Sequence, residues 1–298
     1  MSSQYNAVTM WDETEIETLL RVEPDGTDCF VARSNQMNTN QTVFGGQVLG
    51  QSLAAASATV QDRSLHSMHG YFLRPGIGSE PVRYRVERTR EGRSFTTRRV
   101  TGTQGAETIF HMECSYHADE PGWDHQLAMP EVPEPEQLED LAGISARIDA
   151  GIAKSLLSRL SATIEVKPIE PERLLSRQED SRLRLWFRVP SAAGITDPAL
   201  NQQILAWMSD HWLSSAAVVR HQVILPNPDM MIASLDHAMW FHRPCQTGAW
   251  MLFDFDSPSA FNGTGLSRGL IYDRAGLLVA TVVQESLQRP RRKPRVAK

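Results

Sequence analysis

Little in this chain serves disulfides, metal ions or membranes. Its three cysteines, Cys29, Cys114 and Cys245, are odd in number and far apart, which argues against a disulfide framework and against the close ligand spacing of zinc sites. They read as free thiols in a reducing cytoplasm, the expected location. No run of about 18 apolar residues occurs, so no membrane-spanning helix is expected. Met1-Ser2-Ser3-Gln4-Tyr5-Asn6 has neither the basic start nor the apolar run of an export signal. The chain closes on Arg295-Val296-Ala297-Lys298 and not on a Ser-Lys-Leu peroxisomal address. Neither sign of charge prevails: 30 Lys and Arg against 35 Asp and Glu leave a net charge of −5. Such a balance gives no global field to draw the protein onto nucleic acid or anionic lipid, and neither is expected as a partner. What the 298 residues do provide, with 41% of them hydrophobic, is material for a sizeable core.

They also provide a repeat. Leu65-His66-Ser67-Met68-His69-Gly70-Tyr71-Phe72-Leu73-Arg74-Pro75 returns as Ser234-Leu235-Asp236-His237-Ala238-Met239-Trp240-Phe241-His242-Arg243-Pro244, an offset of 243 − 74 = 169 residues. The same shift carries Arg99 onto Arg268, and Thr108 to Ser115 onto Leu277 to Gln284. A shift that survives across separate blocks points to duplication of one supersecondary unit, and to an active site on a surface that the two copies build together.

Each copy reads as one helix followed by strands. In the first, a strand at Cys29 to Ala32 precedes a helix from about Gln47 to Val60, with Gly45-Gly46 as its close-approach start and Val48, Leu49, Leu53, Ala56 and Val60 at helical spacing. Extended segments follow at Ser67 to Leu73, Val82 to Arg88, Ser94 to Thr101 and Thr108 to Tyr116, separated by turn residues. In the second copy a strand at Leu183 to Val189 and a helix from Pro198 to His221 lead into strands at Ala233 to Phe241, Trp250 to Asp256, Gly265 to Tyr272 and Leu277 to Leu287, with Asp273-Arg274-Ala275-Gly276 as a hairpin turn. A long central helix wrapped by an antiparallel sheet, present twice and fused, is an α+β double hotdog; pairing the halves hides sheet edges around an apolar tunnel. The expected boundaries are residues 1–118 for the first unit, 119–163 for a Pro- and Glu-rich surface connection with a helix over Leu141 to Leu160, 164–288 for the second unit, and 289–298 for a basic tail that is solvated or assists anionic ligands.

The loudest motifs fail on context. Gly265-Leu266-Ser267-Arg268-Gly269 matches a nucleophile elbow, but that turn needs a helix after it and a later His, whereas Ser267 is followed by strand-like runs and the last His is His242. His66 and His69 share a strand-like segment without a partnering Glu, and His237 and His242 lack a ligand set. These histidines are read as structural or as substrate contacts, and no metal is expected. No phosphate-binding Gly-rich loop follows a strand and opens a helix, so no nucleotide cofactor is expected.

Quieter positions remain. Asp210 stands in Trp207-Met208-Ser209-Asp210-His211-Trp212-Leu213, a segment apolar on nearly all sides, on a helix face with Ala206, Leu213 and Ala217; an exposed carboxylate is the alternative. Alternation puts Leu278, Ala280, Val282 and Gln284 on one strand face, so an amide closes an apolar row. It also puts Ser234 with Asp236, Ala238 and Trp240. Under the 169-residue shift Ser234 replaces Leu65 and Gln284 replaces Ser115, so the pair exists only in the second copy.

At these residues the chain resembles the type II acyl-CoA thioesterases, the TesB family of double-hotdog enzymes. The likeness runs through Phe44-Gly45-Gly46-Gln47-Val48, His69 to Pro75, Ser94-Phe95 with Arg98-Arg99, Asp236 to Pro244, and Val283-Gln284-Glu285. It implies a catalytic set of an Asp on the second helix, a Thr or Ser at the following strand and a Gln on the last strand, positions that fall on Asp210, Ser234 and Gln284. Where some relatives carry Thr, Ser234 keeps the hydroxyl without the methyl that restricts its rotamer. The implied substrate is acyl-CoA, the acyl chain entering an apolar tunnel while CoA phosphates meet basic surface groups, and a homo-oligomer, dimer or tetramer, is implied as well. The chemistry expected is water attack, activated by Asp210 and held by Ser234 and Gln284, with N–H groups near Gly45-Gly46 as a candidate oxyanion site. Medium- or long-chain acyl-CoA hydrolysis is the leading reading; a hotdog hydratase or dehydratase and a non-catalytic acyl-CoA binder are the alternatives.

Overall fold

The computed structural model describes residues 8–147, 163–175, 177–221 and 229–291. Most of the expected helix over 141–160, and the basic tail from residue 292 onward, lie outside them. The first copy runs β1 (Thr9–Met10), α1 (Ile16–Leu20), β2 (Glu23–Pro24), β3 (Cys29–Ala32), β4 (Ser34–Asn35), α2 (Gly45–Ser57), β5 (Ser64–Phe72), β6 (Val82–Glu91), β7 (Phe95–Gln104) and β8 (Glu107–His117). A connection bearing α3 (Leu141–Ala146) leads to β9 (Glu165–Pro168), α4 (Glu172–Leu175), β10 (Leu183–Arg188), α5 (Pro198–Ser209), β11 (Met230–Ser234), β12 (Asp236–Phe241), β13 (Met251–Phe261), β14 (Thr264–Asp273) and β15 (Leu278–Pro290). The last strand thus continues through Arg289 and Pro290, two residues of the expected tail.

Twelve of these strands follow one path, β2-β3-β6-β7-β8-β5-β12-β15-β14-β13-β10-β9, and β11 pairs beside β15. The two halves meet at β5 and β12, which covers one edge of each. That junction is self-complementary under the repeat: Met68 pairs with Met239 and Gly70 with His237, while 239 − 169 = 70 and 237 − 169 = 68. The His69 imidazole and the Asp236 carboxylate meet across it at 3.1 Å.

The central helices α2 and α5 lie side by side against the inner sheet face and form the core with α1. Their approach is close because α2 turns glycines towards α5. A Cβ on Gly46 would stand 2.6 Å from the Trp207 carbonyl oxygen, and one on Gly50 3.1 Å from that of Gln203. Helix α5 starts on Pro198, with the Asp197 side chain accepting from the Ala199 N–H at 3.0 Å. Helix α2 has no side-chain cap, but a buried polar network holds it. Gln47 Oε1 accepts from the Gln36 N–H at 2.6 Å, Gln47 Nε2 donates to Asn35 Oδ1 at 2.7 Å, and Tyr84 donates to Gln51 Oε1 at 2.7 Å. Trp207 Nε1 donates to Gln36 Oε1 at 2.8 Å, tying α5 into the same network.

Two differences from the sequence reading matter for the site. First, the helix expected over Pro198 to His221 ends at Ser209, and turns with a short 3-10 segment at Leu213–Ser215 continue it. An all-round apolar stretch packed in buried turns has the same sequence signature as a buried helix, so periodicity did not mark the stop. Second, the strand expected over Ala233 to Phe241 is broken at Leu235. Ser234 pairs with Ser286 and Ala238 with Val283, so 238 − 234 = 4 residues face 286 − 283 = 3: a β-bulge, which resets the alternation. Trp240 therefore points outward, 44% exposed, while Ser234 turns inward to Asp210. The first copy carries the same device. Leu65 pairs with Tyr116 and Ser67 with Ser115, leaving His66 as the extra residue, and 66 + 169 = 235.

The connection is more than a surface strap. It covers a second apolar cluster of Trp186, Trp250, Leu252, Tyr272 and Leu278 on the outer face, against which Met129, Val132 and Leu138 pack. Trp186 Nε1 donates to the Pro133 carbonyl at 2.9 Å, and Arg274 pairs with Glu134 and Glu136. Among the described residues no helix is long and apolar enough to cross a membrane.

Candidate active site

The chain brings Asp210, Ser234 and Gln284 together. Asp210 caps the C-terminus of α5, Ser234 ends β11 beside the bulge, and Gln284 sits on the inward face of β15. Ser234 donates to Asp210 Oδ1 at 3.2 Å, and Gln284 Nε2 donates to the same oxygen at 3.0 Å and to Ser234 Oγ. Asp210 is 8% exposed and Gln284 1%, so the exposed-carboxylate alternative for Asp210 does not hold.

Burial penalises the charged carboxylate and pushes Asp210 up to about 7, against the pull of Ser234, Gln284 and the Gly46 N–H, which hydrogen-bond to it. Gly46 belongs to the first turn of α2, so the other copy supplies the positive end of a helix to this acid. A side chain at Gly45 would displace the carboxylate, since a Cβ there would lie 2.7 Å from Asp210 Oδ2. The N–H groups near Gly45-Gly46, expected as an oxyanion site, are thus at least partly engaged by the carboxylate.

The site opens on a cavity of ≈ 360 Å³. Asp210 and Ser234 are in its wall, as are Phe44, Val48, Phe72, Ile109 and Phe110 from the first copy. Gln284 stands behind Asp210 and Ser234, bonded to both. Across β14 and β15 Gln284 faces Ser267, which is fully buried within a strand. The Ser267 segment has no strand-to-helix turn, in accord with the rejection of a nucleophile elbow there.

One neighbour is a histidine that the sequence marks only as structural or as a substrate contact. His237 is buried, with Nε2 2.9 Å from Ser209 Oγ and Nδ1 3.9 Å from Asp210 Oδ1. Burial lowers its pKa to about 4, so the ring is neutral near pH 7. In sequence it is one His of a motif without a ligand set; only its place beside Asp236 and opposite the last strand gives it meaning. Among the described residues no group of three His, Cys, Asp or Glu could hold a metal ion.

A family model described as acyl-CoA thioesterase matches residues 155–287, and one described as acyl-CoA thioesterase N-terminal domain matches residues 33–117. The chain is 35% identical over 294 residues to acyl-coenzyme A thioesterase 8 of Homo sapiens, covering 95% of this chain and 90% of that one. It is similar in structure to the acyl-CoA thioesterase II TesB2 of Mycobacterium marinum, at 36% identity and a TM-score of 0.76 over 95% of this chain and 99% of that one. A protein of Alicyclobacillus acidocaldarius described as having a hot dog fold superposes at a TM-score of 0.75 with 19% identity, covering 92% of this chain and 97% of that one, a likeness of fold alone. The chain belongs to the acyl-CoA thioesterase family, and its double-hotdog architecture is that of the TesB-type enzymes. It is a hydrolase of acyl-CoA thioesters.

Proposed function

We propose that the protein hydrolyses medium- or long-chain fatty acyl-CoA to free fatty acid and CoA by direct water attack, without an acyl-enzyme. The observation that carries this reading is the hydrogen-bonded set of Asp210, Ser234 and Gln284 in and behind the wall of a cavity that also presents apolar side chains. A thioester carbonyl is electrophilic and its thiolate departs readily, so the protein's task is to deliver an activated water. Ionised Asp210 takes the proton as the water oxygen bonds to the acyl carbon; the carbon–sulfur bond then breaks and the thiolate of CoA leaves and is protonated. Ser234 and Gln284 orient the base and the water. A general base works best with a pKa close to the working pH, and burial has raised Asp210 to about 7. The positive end of α2 serves the carboxylate and the oxyanion that develops on the carbonyl. The apolar side chains Phe44, Val48, Phe72 and Ile109 suit an acyl chain, which favours a fatty acyl substrate over a polar one.

Thiol release from a series of acyl-CoA lengths, run beside Asp210→Asn, tests the proposal. Release is expected to be fastest with medium or long chains and to collapse in the variant. Tight acyl-CoA binding without turnover, or full turnover by Asp210→Asn, would contradict it.

A further inference from the structure

We propose that His237 is a positioning residue that locks the Gln284 amide in its working orientation by donating from Nδ1 to Gln284 Oε1; the inference rests on the site reading just given. Gln284 can serve Asp210 only one way round. Its Nε2 donates to Asp210 Oδ1 and Ser234 Oγ, whereas a flipped amide would set Oε1 against the carboxylate, acceptor facing acceptor. In the working orientation Oε1 is buried without a hydrogen-bond partner, and so is His237 Nδ1. Two orphaned polar atoms in a dry site are costly apart and satisfy one another together.

The register supports the pairing. Ala238 is opposite Val283 on β15, so one step along the antiparallel ladder sets His237 opposite Gln284, since 237 + 284 = 238 + 283. The acceptors around Nδ1 decide which nitrogen carries the proton. The Ser209 hydroxyl, 2.9 Å from His237 Nε2 and 2.9 Å from the Ala206 carbonyl oxygen, can turn to either, so Nε2 is free to act as the acceptor while Nδ1 carries the proton. The other tautomer would leave a bare Nδ1 beside Oε1 and the Asp210 carboxylate, three acceptors in one buried space. The ring responds to this neighbour: the Gln284 side chain favours its protonated form, the largest influence opposing burial. The first copy supplies the contrast. Ser267 pairs with Gln284 as Arg98 pairs with Cys114, so in the first copy the places of His237 and Gln284 are held by Met68 and Cys114, which pair with one another and are both buried; 237 − 169 = 68.

Two replacements of equal polarity separate this role from packing. His237→Asn keeps a donor near the Nδ1 position, while His237→Gln moves it towards Nε2. With decanoyl-CoA as substrate, His237→Gln is expected to lower kcat about tenfold with KM within about twofold, the loss of one hydrogen bond that supports the base. His237→Asn is expected to recover at least about a third of that lost rate, and in a Gln284→Met background His237→Gln is expected to cost less than about twofold more, because the group it positions is gone. Equal losses in both His237 variants, a His237→Gln rate within about twofold of wild type, or a loss that multiplies in full with Gln284→Met would overturn the proposal. So would a loss confined to Ser267→Ala, which would make the buried hydroxyl on the other side of Gln284 its anchor. Full rates in Asp210→Asn and Gln284→Met would bring down the site reading itself; low rates in those two with an unaffected His237→Gln would bring down only this inference.

Discussion

Aligned on their central helices, the two copies put Ser57 where α5 delivers Asp210, since 45 + 153 = 198 and 57 + 153 = 210. Aligned on their strand pairing, they put Leu65 against Ser234, Cys114 against Gln284, Met68 against His237 and Arg98 against Ser267: Arg98 pairs with Cys114 as Ser267 pairs with Gln284, one residue away from the Ser115 that the 169-residue shift gives. In the first copy these positions serve the scaffold. Ser57 Oγ meets Tyr116 Oη at 3.0 Å, buried Cys114 Sγ lies 3.8 Å from the Arg98 carbonyl oxygen, and buried Arg98 donates to Thr59 Oγ1 at 2.8 Å and pairs with Glu91. In the second copy the same places hold a buried acid and its donors. The first copy then contributes a helix start, a glycine and apolar wall, so the division of labour turns on a few side chains set in a shared framework, bulge included.

The comparison breaks hardest at Asp210. Asp210→Asn is expected to lower kcat for thiol release by about 10²–10⁴-fold, the usual contribution of a positioned base. The same variant sharpens the contrast through stability. Folded Asp210 holds its proton to about 7, while the unfolded chain releases it near the ordinary aspartate value of 3.8. Between those values the folded state binds the extra proton, and its stability falls as pH rises. Asp210→Asn lacks that loss, so its melting temperature is expected to exceed that of wild type at pH 8 and the gain to shrink towards pH 4, with a ceiling of about 4 kcal/mol. Ser234→Ala and Gln284→Met are expected to lower kcat about 10- to 100-fold each, the worth of a hydrogen bond to a charged group. At the matching position of the first copy, Cys114→Ala is expected to cost about 1 kcal/mol in denaturant unfolding and to leave thiol release unchanged; a matching loss of rate would mean that both copies carry chemistry.

The helix-then-meander order of both copies was legible because each element has its own pattern: small and apolar residues at helical spacing in α2, and turn residues such as Asp273 to Gly276 between strands. Gly276 takes a φ of +87° there, and Leu277 N–H bonds to Asp273 Oδ1 at 2.8 Å. Strand ends slipped by up to five residues, as at β13, where the ladder with β14 continues past Asp256 to Phe261. The bulge at Leu235 was not legible, because an extra residue in one strand leaves no trace in hydrophobicity; only the pairing reveals that Ser234 and Trp240 face opposite ways. The stop at Ser209 was hidden by the apolar stretch beyond it. For the site, the repeat marked Ser234 and Gln284 as differences between copies. The 169-residue shift carries Asp210 onto Gln41, outside the first helix, because the link from helix to strand is longer in the second copy. The partnership of Gly46 with Asp210 and the place of His237 arise between segments far apart in the chain, where no local pattern reaches.

The most direct test is the pH dependence of kcat/KM for thiol release between pH 5 and pH 9, measured on wild type and Asp210→Asn. The account predicts that wild-type activity falls about tenfold per unit on the acid side of an apparent pKa near 7, levels off above it, and that this limb disappears in the variant. A flat wild-type profile, or an acid limb that persists without the Asp210 carboxylate, would contradict it.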